Sequence, residues 1–143
     1  MSTRKTGARR AALFSVLLAS VALTVAGPAL AHHSFAMFDN EHQTKIEGTV
    51  TKFEWTNPHV YIQLAVAEAD GKVRTYTVEC ANPGILNRVG WKFNIVKPGD
   101  KLKIVVAPLR DDPTAGGLLH EMVLPDGKVL SNGGFAGAAT VHF

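Results

Sequence analysis

The residues with the most chemical potential in this chain are His32 and His33, which directly follow Ala29-Leu30-Ala31. An Ala-x-Ala step closing an apolar run is the pattern that signal peptidase reads. Cleavage after Ala31 leaves a chain whose first two residues are histidines. The freed α-amine and the His32 ring Nδ1 then close a chelate of the kind that suits a late transition metal. Copper favours nitrogen donors in tetragonal geometry, and imidazole also suits zinc. If His33 supplies the ring instead, the amine and the intervening amide nitrogen complete a different chelate. Ser34 stands third, so the three-residue amino-terminal copper site, which needs histidine in that place, is not present. A further ligand must come from elsewhere. His59 is the first candidate, followed by His42 and His120. The other reading is a pair of histidines tolerated beside a cleavage site.

His59 follows Asn57-Pro58 at the start of an alternating segment, on the face opposite Val60 and Ile62. With Trp55, Tyr61 and Trp91 it can line a small ligand groove. The plainer alternative is an exposed strand residue whose ring bonds the turn backbone. Enzyme signatures are missing: there is no Gly-x-Ser-x-Gly, no His-Glu-x-x-His and no phosphate-cradling glycine loop. Glu54 and Glu79 can be imagined as an acid/base pair, but nothing in their spacing sets a distance. His120 and Glu121 fall on opposite faces of a regular strand. The expectation is therefore a binding protein without catalytic residues. Cys80 is the only cysteine, so no internal disulfide can form, and a buried thiol is expected.

The elements that position these residues begin after a leader. Residues 1–31 carry Arg4, Lys5, Arg9 and Arg10 with no acid, then an apolar stretch from Ala11 to Ala26, then Gly27-Pro28. That stretch is shorter than the ~20 residues a spanning helix needs, so a cleaved signal peptide is expected, and with it a periplasmic or secreted protein. Removing it changes the charge. The whole chain is formally +3, with 15 basic and 12 acidic residues. Four of the bases lie in the leader, which leaves 11 against 12, a net of −1. A phosphate-binding stripe is not expected on such a domain, so nucleic acid is excluded as a partner.

Residues 32–43 read as an arm that packs Phe35 and Phe38 onto a body at 44–130. A first strand near Lys45–Trp55 changes its facing partway and contains Gly48, which predicts a bend or bulge. Val60, Ile62, Leu64 and Val66 alternate with His59, Tyr61 and Gln63, which predicts a half-buried strand. Asp70-Gly71 marks a hairpin, and Tyr76, Val78 and Cys80 continue the apolar face on the return strand. Asn82-Pro83 opens a helix of about two turns that stops at Gly90. Pro98-Gly99-Asp100 precedes a strand through Leu102, Ile104 and Val106. Asp111-Asp112-Pro113 and Gly116-Gly117 read as a loop, Leu118–Leu124 as a fifth strand, and Val129-Leu130 as a short sixth. Residues 131–143 read as a frayed Gly/Ala-rich tail. Three meandering strands, a short helix and two more strands make an all-β chain in the order of a small, partly open OB-like barrel. The predicted core is Val50, Val60, Ile62, Leu64, Tyr76, Val78, Leu86, Leu102 and Ile104.

The segment His32-His33-Ser34-Phe35, the stretch from Gly48 to His59 containing Glu54-Trp55-Thr56-Asn57-Pro58-His59, and Lys97-Pro98-Gly99-Asp100 together resemble a bacterial family of exported proteins of unknown function. The resemblance covers nearly the whole mature chain and implies export and fold, without a mechanism. The expected function is an exported binding protein: either a copper- or zinc-binding accessory centred on His32, or a module that docks an envelope partner or a small ligand, with incidental histidines.

Overall fold

The structure is a computed structural model that describes residues 36–134. The leader, His32, His33, Phe35, His142 and most of the expected tail lie outside the described residues. Residues 37–134 belong to one compact unit.

Six strands and one helix follow in order: β1 (Thr44–Glu54), β2 (Tyr61–Ala67), β3 (Val73–Glu79), α1 (Pro83–Arg88), β4 (Lys101–Pro108), β5 (Gly116–Val123) and β6 (Val129–Ser131). They pair as β3-β2-β1-β4-β5-β6, and a parallel β3–β5 pairing closes the first five into a barrel. This is the OB-like layout: a meander, a helix between the third and fourth strands, and a long first strand that serves both sides. Thr44–Thr49 of β1 pair with β4, and Thr49–Glu54 pair with β2. The expected irregularity is a bulge between Val50 and Lys52. An extra residue there resets the pleat, so Ile46 and Val50 reach the core from one parity while Phe53 packs on it from the other.

All nine predicted core residues are buried, none more than 2% exposed. Burial of these apolar side chains is the main stabilising term of a small barrel. Asn82 caps α1 by accepting from the Ile85 N–H at 2.9 Å, Pro83 occupies the first turn, and Gly90 ends the helix with φ of 92°. Cys80 is a fully buried thiol, and burial raises its pKa, with Glu79 adding to the shift.

Two expectations change. Gly116 and Gly117 open β5 and are not loop, because closure of the barrel brings backbones too close for a side chain. A Cβ on Gly116 would lie 2.5 Å from the Thr77 carbonyl oxygen, and one on Gly117 would lie 2.7 Å from that of Ala107. Ser131 and Asn132 belong to the barrel and not to a frayed tail: Asn132 is fully buried and hydrogen-bonded on both sides of its amide. The arm packs Phe38 onto the body, as expected. Phe38 is 2% exposed and bridges Leu109, with Asp39 N–H donating to Pro108 O and Arg110 N–H donating to Met37 O. Among the described residues no helix is long and apolar enough to cross a membrane.

Candidate functional site

The outward face of the meander is built by strand alternation. Val60, Ile62 and Leu64 point inward, so His59, Tyr61 and Gln63 point outward. The hairpin register pairs Tyr61 with Glu79, and the β1–β2 register pairs Tyr61 with Glu54. Glu79 is therefore a diagonal neighbour of His59. The two side chains meet: Nδ1 of His59 is held against Oε1 of Glu79, with both side chains largely shielded from solvent. The ring of His59 stacks beside that of Tyr61, with centroids 6.4 Å apart and planes 23° apart. The Thr56 hydroxyl donates to His59 O at 2.9 Å and tightens the preceding loop, which holds a cis Asn57–Pro58 peptide.

This geometry has a chemical consequence. A proton on Nδ1 satisfies the Glu79 carboxylate and leaves the lone pair on Nε2. That nitrogen makes no hydrogen bond among the described residues. A carboxylate behind an imidazole fixes the tautomer and the ring orientation, as it does behind metal-bound histidines. The field of Glu79 also reaches Tyr61, whose pKa is raised first by burial and then by that carboxylate. Lys52 is neutralised by Glu54 at 2.8 Å.

Trp55 is partly buried, packs on the core and meets Phe53 with ring centroids 6.0 Å apart. Tyr61 therefore flanks His59 on β2, while Trp55, just past the end of β1, packs on Phe53 and the core. Trp91 does not join them. It is fully buried as a core plug, and its indole N–H donates to Ser131 O at 2.9 Å. A small groove lined by Trp55, Tyr61 and Trp91 together is not formed, because Trp91 sits inside the barrel.

The remaining histidines occupy separate places. His42 is exposed and its Nδ1 lies 2.9 Å from Asp39 Oδ2, in a turn where Asp39, Glu41 and His42 have ligand-capable atoms within 4.8 Å of one another. The hydrogen bond from His42 is the largest cause of a lowered Asp39 pKa. His120 is 6% exposed, and neither ring nitrogen has a hydrogen-bond partner. It sits at a bulge where Glu121 pairs with Val105 and Leu119 with Val106. Leu119 and Met122 both join the core. The two residues between them, His120 and Glu121, therefore share the outward side, where a regular strand would separate them. The described part of the arm lies along Pro108–Arg110 and not over the loop that carries His59.

The contact that sequence reasoning missed is Glu79 on His59. Its signal was present in the hairpin: a turn at Asp70-Gly71 forces Tyr61 opposite Glu79, which leaves His59 one step away on the same face.

No curated protein matches the chain. Among solved structures it is similar to a mitochondrial single-stranded DNA binding protein from S. cerevisiae, Rim1, at 15% identity and a TM-score of 0.45, over 59% of this chain and 93% of that one. The model of a family of unknown function, DUF6152, matches residues 19–118, across the segment that carries β1 to β4 and the His59–Glu79 pair, and the chain belongs to that family.

Proposed function

We propose that the protein is an exported, non-enzymatic binding protein of the cell envelope that holds a copper or zinc ion, with His59 as the ligand presented by the barrel and His32 or His33 supplied by the mature amino terminus. The observation that carries this reading is the Glu79 carboxylate set against Nδ1 of His59, which leaves Nε2 as the ring nitrogen for a ligand. Copper and zinc both accept imidazole, and a fixed ring lowers the ordering cost of binding. The same face opposes nucleic acid as a partner, since Glu54 and Glu79 stand on it and Lys52 is already paired.

Titration calorimetry of a protein that begins at His32 tests the proposal. One Cu(II) should bind more tightly than to a peptide beginning His-His-Ser-Phe, because the peptide lacks the barrel ligand. A residue added before His32 removes the amine from the chelate and should weaken binding sharply. His59→Ala should weaken it, and Glu79→Gln should weaken it by roughly 10–100-fold, as losses of such supporting partners do. Binding should also weaken on acidification, because the ligands must shed protons. A second reading, a docking module with incidental histidines, draws on the arm pairing beside Leu109 and away from the His59 loop. Equal affinity for protein and peptide would show that the fold adds nothing to metal binding, which ends the first reading in favour of the second.

A further inference from the structure

We propose that the barrel carries a separate binding groove for a small apolar monoanion, a medium-chain carboxylate in its simplest form. The groove has a volume of about 640 Å³, inside the range of small-molecule sites. It opens where β1 changes partners. The β1–β2 ladder ends at Thr49 opposite Ala65, while β1 runs back along β4 from Thr49–Lys101 to Thr44–Val106. β2 continues to Ala67 without a partner on β1. The two neighbours of β1 therefore splay apart, and the space between them lies over Glu47, Gly48 and Thr49.

The chemistry of the lining selects the ligand. Ala65 and Ala67 leave the β2 side open and apolar, and Leu124 and Pro125 of the β5–β6 turn supply the far wall. Three charged residues line it. Glu47 and Lys103 neutralise one another, with Lys103 Nζ 3.3 Å from Glu47 Oε1. Lys101 makes no ion pair among the described residues. One uncompensated cation at the edge of an apolar trough favours a ligand with one negative charge and a hydrocarbon body. The groove is distinct from the His59 site: Ala65 lies six residues along the same outward row, about 20 Å from His59 at strand rise. The inference stands independently of the metal reading.

Calorimetry with octanoate, decanoate and dodecanoate, and with decanol as the uncharged control, tests it on the chain beginning at His32. One carboxylate should bind per barrel, with affinity rising by roughly fourfold per methylene as the groove fills. Decanol should bind at least about tenfold more weakly than decanoate. Lys101→Gln should weaken decanoate about tenfold and leave decanol unchanged. Ala65→Trp should abolish binding of both while Cu(II) affinity stays as in the parent. Ala67→Leu, at the exposed end of β2, should do the same to a lesser degree and covers the case in which the tryptophan disturbs folding. Absence of saturable binding, equal loss of acid and alcohol in Lys101→Gln, or full binding by both filled variants would each overturn the proposal.

Discussion

Replacing Asn132 by Ala should unfold this barrel more readily than any exposed substitution, although Asn132 lies only two residues before the end of the described chain. Its side chain ties the segment after β3 to β5, two elements otherwise paired only from Thr77–Gly116 to Glu79–Leu118. The Oδ1 atom accepts from the Ala81 N–H at 2.7 Å, and Nδ2 donates to the Leu119 carbonyl at 2.8 Å. Asn132 is 0% exposed and Ala81 is 5% exposed, so water cannot replace either bond. Alanine leaves one donor and one acceptor orphaned, at about 1–3 kcal/mol each, for a loss of about 2–6 kcal/mol. For a domain of about 100 residues that lowers the melting temperature by at least about 8 °C. Asn132→Asp separates the two bonds. It keeps an acceptor for Ala81, loses the donor to Leu119 and buries a charge at neutral pH. Once protonated it can donate again, so its deficit against the parent should shrink as pH falls. Urea titrations followed by tryptophan fluorescence at pH 7.5 and pH 4.5 read both effects, with the exposed Ser131→Ala as the control. A loss under about 0.5 kcal/mol for Asn132→Ala, or a deficit in Asn132→Asp that does not change with pH, would refute the reasoning and return these residues to a loose tail.

Truncating Ile62 to Ala, at 0% exposure in the centre of β2, should cost roughly 2–5 kcal/mol in the same titration. His120→Leu should stabilise the protein by about 1–3 kcal/mol at pH 7.5, because two buried ring nitrogens without partners are removed. Burial lowers the pKa of His120 below 6.5. The unfolded chain therefore takes up the proton first, and the parent should lose stability as pH falls below the unfolded value, by more than His120→Leu does. Burial raises the Tyr76 hydroxyl to about 12. Its ionisation favours the unfolded chain once pH rises above about 10, so stability is full below that value and lost through the folded pKa. Tyr76→Phe should flatten this alkaline loss, measured as the denaturation midpoint between pH 9 and pH 11.5, at little cost near neutrality because the hydroxyl is unpartnered.

Much of the barrel was legible because its signals are local. Alternation in Val60–Val66 and Tyr76–Cys80, the turn at Asp70-Gly71 and the Asn82-Pro83 cap act over a few residues, where side-chain period and backbone preference decide the outcome. They gave the strand order, the helix position and the core. Gly48 and the change of facing in β1 were enough to expect its bulge. The family resemblance rested on the same stretch of sequence. The parts that stayed hidden depend on contacts between distant residues. Only closure of the barrel shows why Gly116 and Gly117 must be glycine, since the reasons are a backbone on β3 for the first and one on β4 for the second. Trp91 reads as a surface aromatic in the sequence, and only packing turns it into a buried plug tied to Ser131. Asn132 looks like tail because its partners are 51 and 13 residues away. Glu79 meets His59 because the β2–β3 register sets them on one face. The sequence alone determined the local elements and the residues able to do chemistry. The tertiary structure decided which of those residues meet, because register, closure and burial are set by the summed packing of all strands and not by any one of them.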